Sequence, residues 1–206
     1  MNYDDALRRI ESIETALSRT TWFRGYRSRL VLLSAISGLL GVLGQSLVIS
    51  SDHSPARFVY YWATIAILNL VIAGAVLVWR SRTISTRSDR KLFRSAMLAM
   101  FPSLLAGAGV TFAILKVAED QIWMLPGLWA ILFGLGVCAS QFVLPQWTLL
   151  SGAYYILSGS AVLSWGSRPL DGTEMVVTFV VGQALSAFIL YWTLERPSLS
   201  AGGAHD

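Results

Sequence analysis

Residues 58–79 read FVYYWATIAILNLVIAGAVLVW, and residues 80–94 that follow read RSRTISTRSDRKLFR. The first stretch is 22 residues without a charge, enough for an α-helix at about 1.5 Å per residue to cross a hydrocarbon layer of about 30 Å. The second holds six basic residues: Arg80, Arg82, Arg87, Arg90, Lys91 and Arg94. An apolar run that stops abruptly against clustered arginine reads as a membrane-spanning helix meeting the cytoplasmic headgroups.

Five more runs of the same kind lie on either side. One precedes it, from about Leu30 to Ser50, and four follow: Ser95 to about Lys116, Ile122 to about Ser140, Trp147 to Trp165, and Thr173 to about Leu194. Turn-forming residues separate them at Ser51-Asp52-His53-Ser54-Pro55, Glu119-Asp120-Gln121, Leu144-Pro145-Gln146 and Arg168-Pro169-Leu170-Asp171-Gly172. The stretch from Ile122 to Trp165 exceeds forty residues, too many for one crossing, so the uncharged break at Pro145 divides two spans. Composition agrees: 54% of the 206 residues are hydrophobic and 14% charged, where a soluble domain carries about 25%. The expected fold is an all-α integral membrane bundle of six transmembrane helices. Residues 1–29 form a cytoplasmic amphipathic helix and basic juxtamembrane segment, 30–194 the membrane domain, and 195–206 a disordered cytoplasmic tail.

Basic residues set the orientation. Thirteen of the sixteen fall on one side: Arg8, Arg9, Arg19, Arg24, Arg27 and Arg29 before the first span, the six of 80–94, and Arg196 in the tail. Arg57, Lys116 and Arg168 fall on the other. Both termini are therefore expected in the cytoplasm, with the first span acting as an uncleaved signal anchor. Arg24, Arg27, Arg29 and the six basic residues of 80–94 are expected on lipid headgroup phosphates, so the net charge of +4 points to the bilayer as partner and not to nucleic acid.

Asn2 to Ser18 has helical periodicity, with Leu7, Ile10, Ile13 and Leu17 on one face and Asp5, Arg8, Arg9, Glu11 and Thr15 opposite. The polar face lacks the dense Lys/Arg of a membrane-surface helix, so the apolar stripe is expected to contact protein: a cytoplasmic partner or a second copy of the chain.

Polar groups inside the spans are few. None is ionisable near mid-span; Gln45, Asn69, Thr111 and Gln183 are the uncharged candidates. Asn69 and Gln183 both fall near the middle of their spans and could meet, either as an interhelical hydrogen bond or as lining for a small neutral solute. Small residues at Ser34, Ser37, Gly38 and Gly41 in the first span, and Ala99, Ser103 and Gly107 in the third, allow close helix approach. Pro102 is expected to kink the third span. Cys138 is the only cysteine and is expected to pack as a small apolar group. His53 and His205 are the only histidines, and no metal-ligand, P-loop or nucleophile spacing occurs, so neither a cofactor nor enzymatic chemistry is expected.

Ala75-Val76-Leu77-Val78-Trp79-Arg80-Ser81-Arg82 and Ala161-Val162-Leu163-Ser164-Trp165-Gly166-Ser167-Arg168 end the second and fifth spans alike. Such a pair is compatible with an inverted three-plus-three repeat or with common span-end composition. Leu7-Arg8-Arg9-Ile10-Glu11, followed by Leu17-Ser18-Arg19-Thr20-Thr21-Trp22-Phe23-Arg24-Gly25-Tyr26, resembles the start of a set of uncharacterised bacterial inner-membrane proteins. That resemblance covers about the first 45 residues and implies a bacterial inner-membrane location; it brings no site residues. The expected function is a non-enzymatic membrane protein that binds a partner through its cytoplasmic face. The alternative is a small transporter or channel for a neutral or apolar solute lined by Gln45, Asn69 and Gln183.

The orientation predicts reporter behaviour. A reporter active only in the cytoplasm should work when fused at Ser85 and fail when fused at Gly172; the opposite pattern would invert the topology.

Overall fold

Two tryptophans, Trp62 at the start of the second span and Trp129 in the fourth, show how this chain assembles: each donates its indole N–H to a side chain on a neighbouring helix. The helices they join come from a computed structural model that describes residues 28–49, 54–84, 87–142 and 146–195, without the side chains of 77, 80–84, 87–94, 96, 97, 142, 194 and 195. The N-terminal stripe of Leu7, Ile10, Ile13 and Leu17, together with Arg24, Arg27 and the tail from Arg196, lies outside the described residues. So do the side chains of Arg80, Arg82, Arg87, Arg90, Lys91 and Arg94.

Among the described residues there are helices and no strands. Helix α1 is Ser28–Val48, α2 Ala56–Ile84 and α3 Arg87–Val117. A 3-10 segment, Glu119–Met124, leads into α4, Leu125–Ala139, whose first turn carries Pro126, where a missing N–H costs nothing. Helix α5 is Thr148–Ser164. Helix α6, residues 173–195, starts as an α-turn, widens into a π-segment at Val176–Val180, returns to α at Val181–Leu190 and ends in a second π-segment, Tyr191–Glu195.

Each expected span is helical. Helices α2 and α3 overrun the apolar stretches: α2 runs on to Ile84 and α3 starts at Arg87, so most of the basic segment 80–94 is helix. Hydropathy marks where lipid would end; the backbone ladder continues until a breaker intervenes, and 80–94 holds neither Gly nor Pro. Pro102 sits inside the continuous α3. Among the described residues, five helical stretches are long and apolar enough to cross a membrane: Ser28–Val48, Ala56–Val76, Leu98–Val117, Glu119–Ala139 and Thr173–Thr193. Helix α5, at 17 residues, is shorter, although Trp147 and Trp165 on its flanks keep helical dihedrals.

The tightest contact is the antiparallel hairpin of α4 and α5. Gly127 faces Gly159, and Gly134 faces Gly152, one pair two turns along from the other. A Cβ on Gly159 would come within 2.6 Å of the Gly127 carbonyl oxygen, and one on Gly134 within 2.7 Å of the Gly152 carbonyl oxygen. Glycine here lets backbone approach backbone, as small residues do where helices meet in an apolar medium. Cys138 packs against Gly152 in the same interface. Tyr155, fully buried, projects from α5 against Phe133 of α4, edge-on at 4.9 Å, and against Phe179 of α6 at 5.9 Å. Gly182 of α6 leaves the space its ring fills, since a Cβ there would lie 2.5 Å from the Tyr155 ring.

The other helices attach in sequence. Helix α3 meets α4 where Ser103 faces Gly136. Helix α1 runs antiparallel to α6, with Gly38 against Val180 at mid-length and Val31 against Ala187 and Leu190 at one end. Helix α2 reaches α1 through Gly41, over which Trp62 and Ile65 pack. Outward faces are apolar throughout: Leu43 is 64% exposed, Phe112 66%, and in Leu98–Val117 no residue is buried.

Gly134→Leu should destabilise the α4–α5 hairpin by about 1–3 kcal/mol. Gly74 and Gly109 have open space around them, and Gly74→Ala or Gly109→Ala should leave stability unchanged or raise it. Thermal unfolding in one detergent would check both; a neutral Gly134→Leu would contradict the close approach.

Candidate functional site

One end of the bundle collects the C-termini of α1, α3 and α5 and the N-termini of α2, α4 and α6. Four described carboxylates lie there, Glu119, Asp120, Asp171 and Glu174, so it is called the carboxylate end. Beneath them lies a core of Phe58, Val59, Trp62, Ile122, Leu125 and Met175, packed by Val110 and Ile114 of α3 and by Leu170.

Gln45 organises this end. It is 4% exposed and uses both ends of its amide: Nε2 donates to the Leu170 carbonyl at 2.8 Å, and Oε1 accepts from Trp62 Nε1 at 2.9 Å. One side chain of α1 thus ties α2 to the loop before α6. Tyr61 adds a second tie, its hydroxyl donating to the Gly41 carbonyl at 2.7 Å. On the rim, Ser54 Oγ donates to Glu119 at 3.2 Å, and Trp123 Nε1 donates to Gln121, whose amide donates to Asp120.

The loop into α6 turns on Gly172, whose φ of 94° is left-handed and suits glycine. Asp171 Oδ1 accepts the Thr173 backbone N–H at 2.9 Å. That bond, with a further one from the Thr173 side chain, holds the Asp171 carboxyl below the usual carboxylate range. Glu174 follows in the first turn of α6, where the positive end of the helix dipole favours a carboxylate. It is 6% exposed, and its Oε2 has no hydrogen-bond partner. Trp123, Val162, Trp165, Gly166 and Arg168 join Glu174 around a cleft with room for about one water molecule. The Arg168 guanidinium lies 5.7 Å from the centre of the Trp165 ring. Below the cleft the π-segment begins: Thr178 Oγ1 donates to the Glu174 carbonyl at 2.6 Å, and the Tyr154 hydroxyl of α5 donates to the Val177 carbonyl at 2.6 Å.

The mid-span amides do not meet one another. Asn69 Nδ2 donates to Ser37 Oγ of α1 at 2.7 Å and to its own Ile65 carbonyl. Gln183 is half-buried on α6. Thr111 accepts the Trp129 indole N–H at 2.8 Å, joining α3 to α4. Arg29 is exposed at the opposite end. Among the described residues, no three His, Cys, Asp or Glu side chains are placed to hold a metal ion. The sequence reading passed over Glu174. Its signal was Asp171-Gly172-Thr173-Glu174, a turn followed by an acid inside the first turn of an apolar span.

The fold defines a class, an antiparallel bundle of apolar helices joined by glycine contacts and side-chain hydrogen bonds. Compared with known proteins, the chain matches no family model, no curated protein and no solved structure.

Gln45→Leu should cost about 1–3 kcal/mol, because it leaves the Trp62 indole N–H and the Leu170 carbonyl buried without partners. The Asp171 contribution has a defined sign. A depressed native pKa gives stability that is present above the unfolded value of about 3.9 and lost as pH falls through the lower native value. The stability gap between the wild type and Asp171→Ala should be constant near neutrality and shrink only below about pH 4. Unfolding followed from pH 7 to pH 3 tests this; a gap that grows with acid would refute the assignment.

Proposed function

We propose that the chain is a six-span bacterial inner-membrane protein with both termini in the cytoplasm, acting without catalysis by binding a partner at its cytoplasmic face. The observation that carries this reading is the use of the polar groups of the spans: Gln45, at the carboxylate end, and Asn69, mid-span, are engaged in hydrogen bonds between segments. Groups that bind helices together are not free to line a path for a solute. The transport alternative would require them to exchange those bonds for the solute at each passage.

Membrane insertion draws support from the exposed apolar faces. Fully burying one leucine or phenylalanine is worth about 1.5–3 kcal/mol in water, and this bundle leaves Leu33, Leu40, Leu43, Phe101 and Phe112 more than half exposed. Lipid removes that penalty. Crossing by α5 draws support from the glycine register. A helix held against α4 at Gly127–Gly159 and at Gly134–Gly152 shares the depth of α4, and the Trp147 to Trp165 backbone is about 28 Å long at about 1.5 Å per residue.

The surfaces proposed for the partner are the stripe of Leu7, Ile10, Ile13 and Leu17 and the basic segment 80–94. A stoichiometric partner should co-purify in mild detergent and be lost in the double variant Ile10→Glu, Leu17→Glu, with the membrane-inserted amount unchanged. Retention of the partner in that variant would oppose the reading, as would solute flux through proteoliposomes that Asn69→Leu abolishes.

A further inference from the structure

Glu174 is the polar group of the carboxylate end that the folded chain leaves incompletely answered. A buried carboxylate oxygen without a hydrogen-bond donor is costly, of the order of 1–3 kcal/mol or more for a charged group. Most buried polar atoms find partners, so the enclosed and unpaired Oε2 sets this carboxylate apart, and the Glu174 side chain lines a cleft. The neighbours describe the partner that would suit it. Two indole rings, Trp123 and Trp165, border the cleft, and aromatic faces attract cations and not anions. Arg168 already shows this preference, lying over Trp165 while Glu174 Oε2 stays unpaired. Size narrows the choice further, because the cleft has room for about one water molecule. A bare ammonium group is of that size; a trimethylammonium group is larger.

We propose that the cleft formed by Glu174, Trp123, Trp165 and Arg168 is a binding site for a primary ammonium group. The Glu174 carboxylate accepts its hydrogen bonds and the indoles flank its charge. Arg168, exposed at the rim, competes electrostatically with the bound cation. On the charge asymmetry the cleft faces away from the cytoplasm at headgroup depth, so the ammonium belongs either to a free amine or to an aminophospholipid headgroup. The site does not depend on partner binding at the opposite face.

The test uses the full chain in detergent, with thermal unfolding followed in methylammonium chloride and in tetramethylammonium chloride at equal ionic strength. Methylammonium at about ten times its dissociation constant should raise Tm by about 3–6 °C over tetramethylammonium. Glu174→Gln, which keeps shape and removes charge, should abolish the difference, and Arg168→Gln should enlarge it. Equal effects of the two salts, or a methylammonium effect that survives Glu174→Gln, would overturn the proposal. If Glu174→Gln does not fold, Arg168→Gln decides: a larger shift supports the site and an unchanged one overturns it. Nanodiscs separate the two sources. A methylammonium shift that shrinks in phosphatidylethanolamine relative to phosphatidylglycerol identifies the lipid headgroup; an equal shift in both identifies a free amine.

Discussion

Backbone meets backbone between α4 and α5, and the rest of the bundle is arranged around that contact. In an apolar medium the removal of side chains from water no longer drives helices together, so association rests on close packing and on hydrogen bonds. The glycine pairs 127–159 and 134–152 supply the packing. With those helices drawn close, Tyr155 is directed past the interface onto α6, where Gly182 receives its ring. Helix α6 in turn presents Val180 to Gly38, and α1 presents Gly41 to Trp62. Glycine thus occurs at four successive interfaces, each time opposite a side chain or a backbone carbonyl of the neighbouring helix.

Hydrogen bonds do the second part of the work, and they are unevenly placed. At the carboxylate end Gln45 joins three segments through one amide, and Ser54–Glu119 closes the rim. Mid-bundle there are single cross-links, Ser37–Asn69 and Thr111–Trp129. Such bonds contribute about 0.6 kcal/mol each on average in membrane helices, so they set register more than they set stability. The π-segment at Val176–Val180 fits the same pattern. Widening the helix there presents the Val177 carbonyl to the Tyr154 hydroxyl, which pins α5 to α6 one turn below Glu174. A carboxylate next to such a departure from α geometry is held where an ideal helix would not hold it.

Helical content was legible, and so were five of the six expected spans as long apolar helices, because both are composition averaged over about twenty residues. Helix ends were not. Arginine and serine after Trp79 end a hydrophobic run without ending a helix, so α2 and α3 continue into segment 80–94. The small-residue stripes of the first and third spans were noticed, and Gly41 and Ser103 do lie at contacts. The glycines that matter most, seven residues apart in both α4 and α5, look ordinary in each helix alone. Asn69 bonds Ser37 of α1 and not Gln183 of α6, since depth in a span says nothing about azimuth. Glu174 was passed over because an acid at the edge of an apolar run resembles a loop residue until its burial is known.

What the sequence by itself determined is therefore a series of long uncharged segments suited to hydrocarbon, with basic residues concentrated before the first of them and between the second and third. Those are one-dimensional properties, since each segment satisfies its own backbone and its own solvent without its neighbours. Only the tertiary structure decided which faces touch, that Gln45 joins helices, and that a carboxylate is enclosed with two indoles. The reason is geometric: Trp123, Trp165 and Glu174 come from three different segments, and no property of any one of them records the rotation that brings them to one cleft.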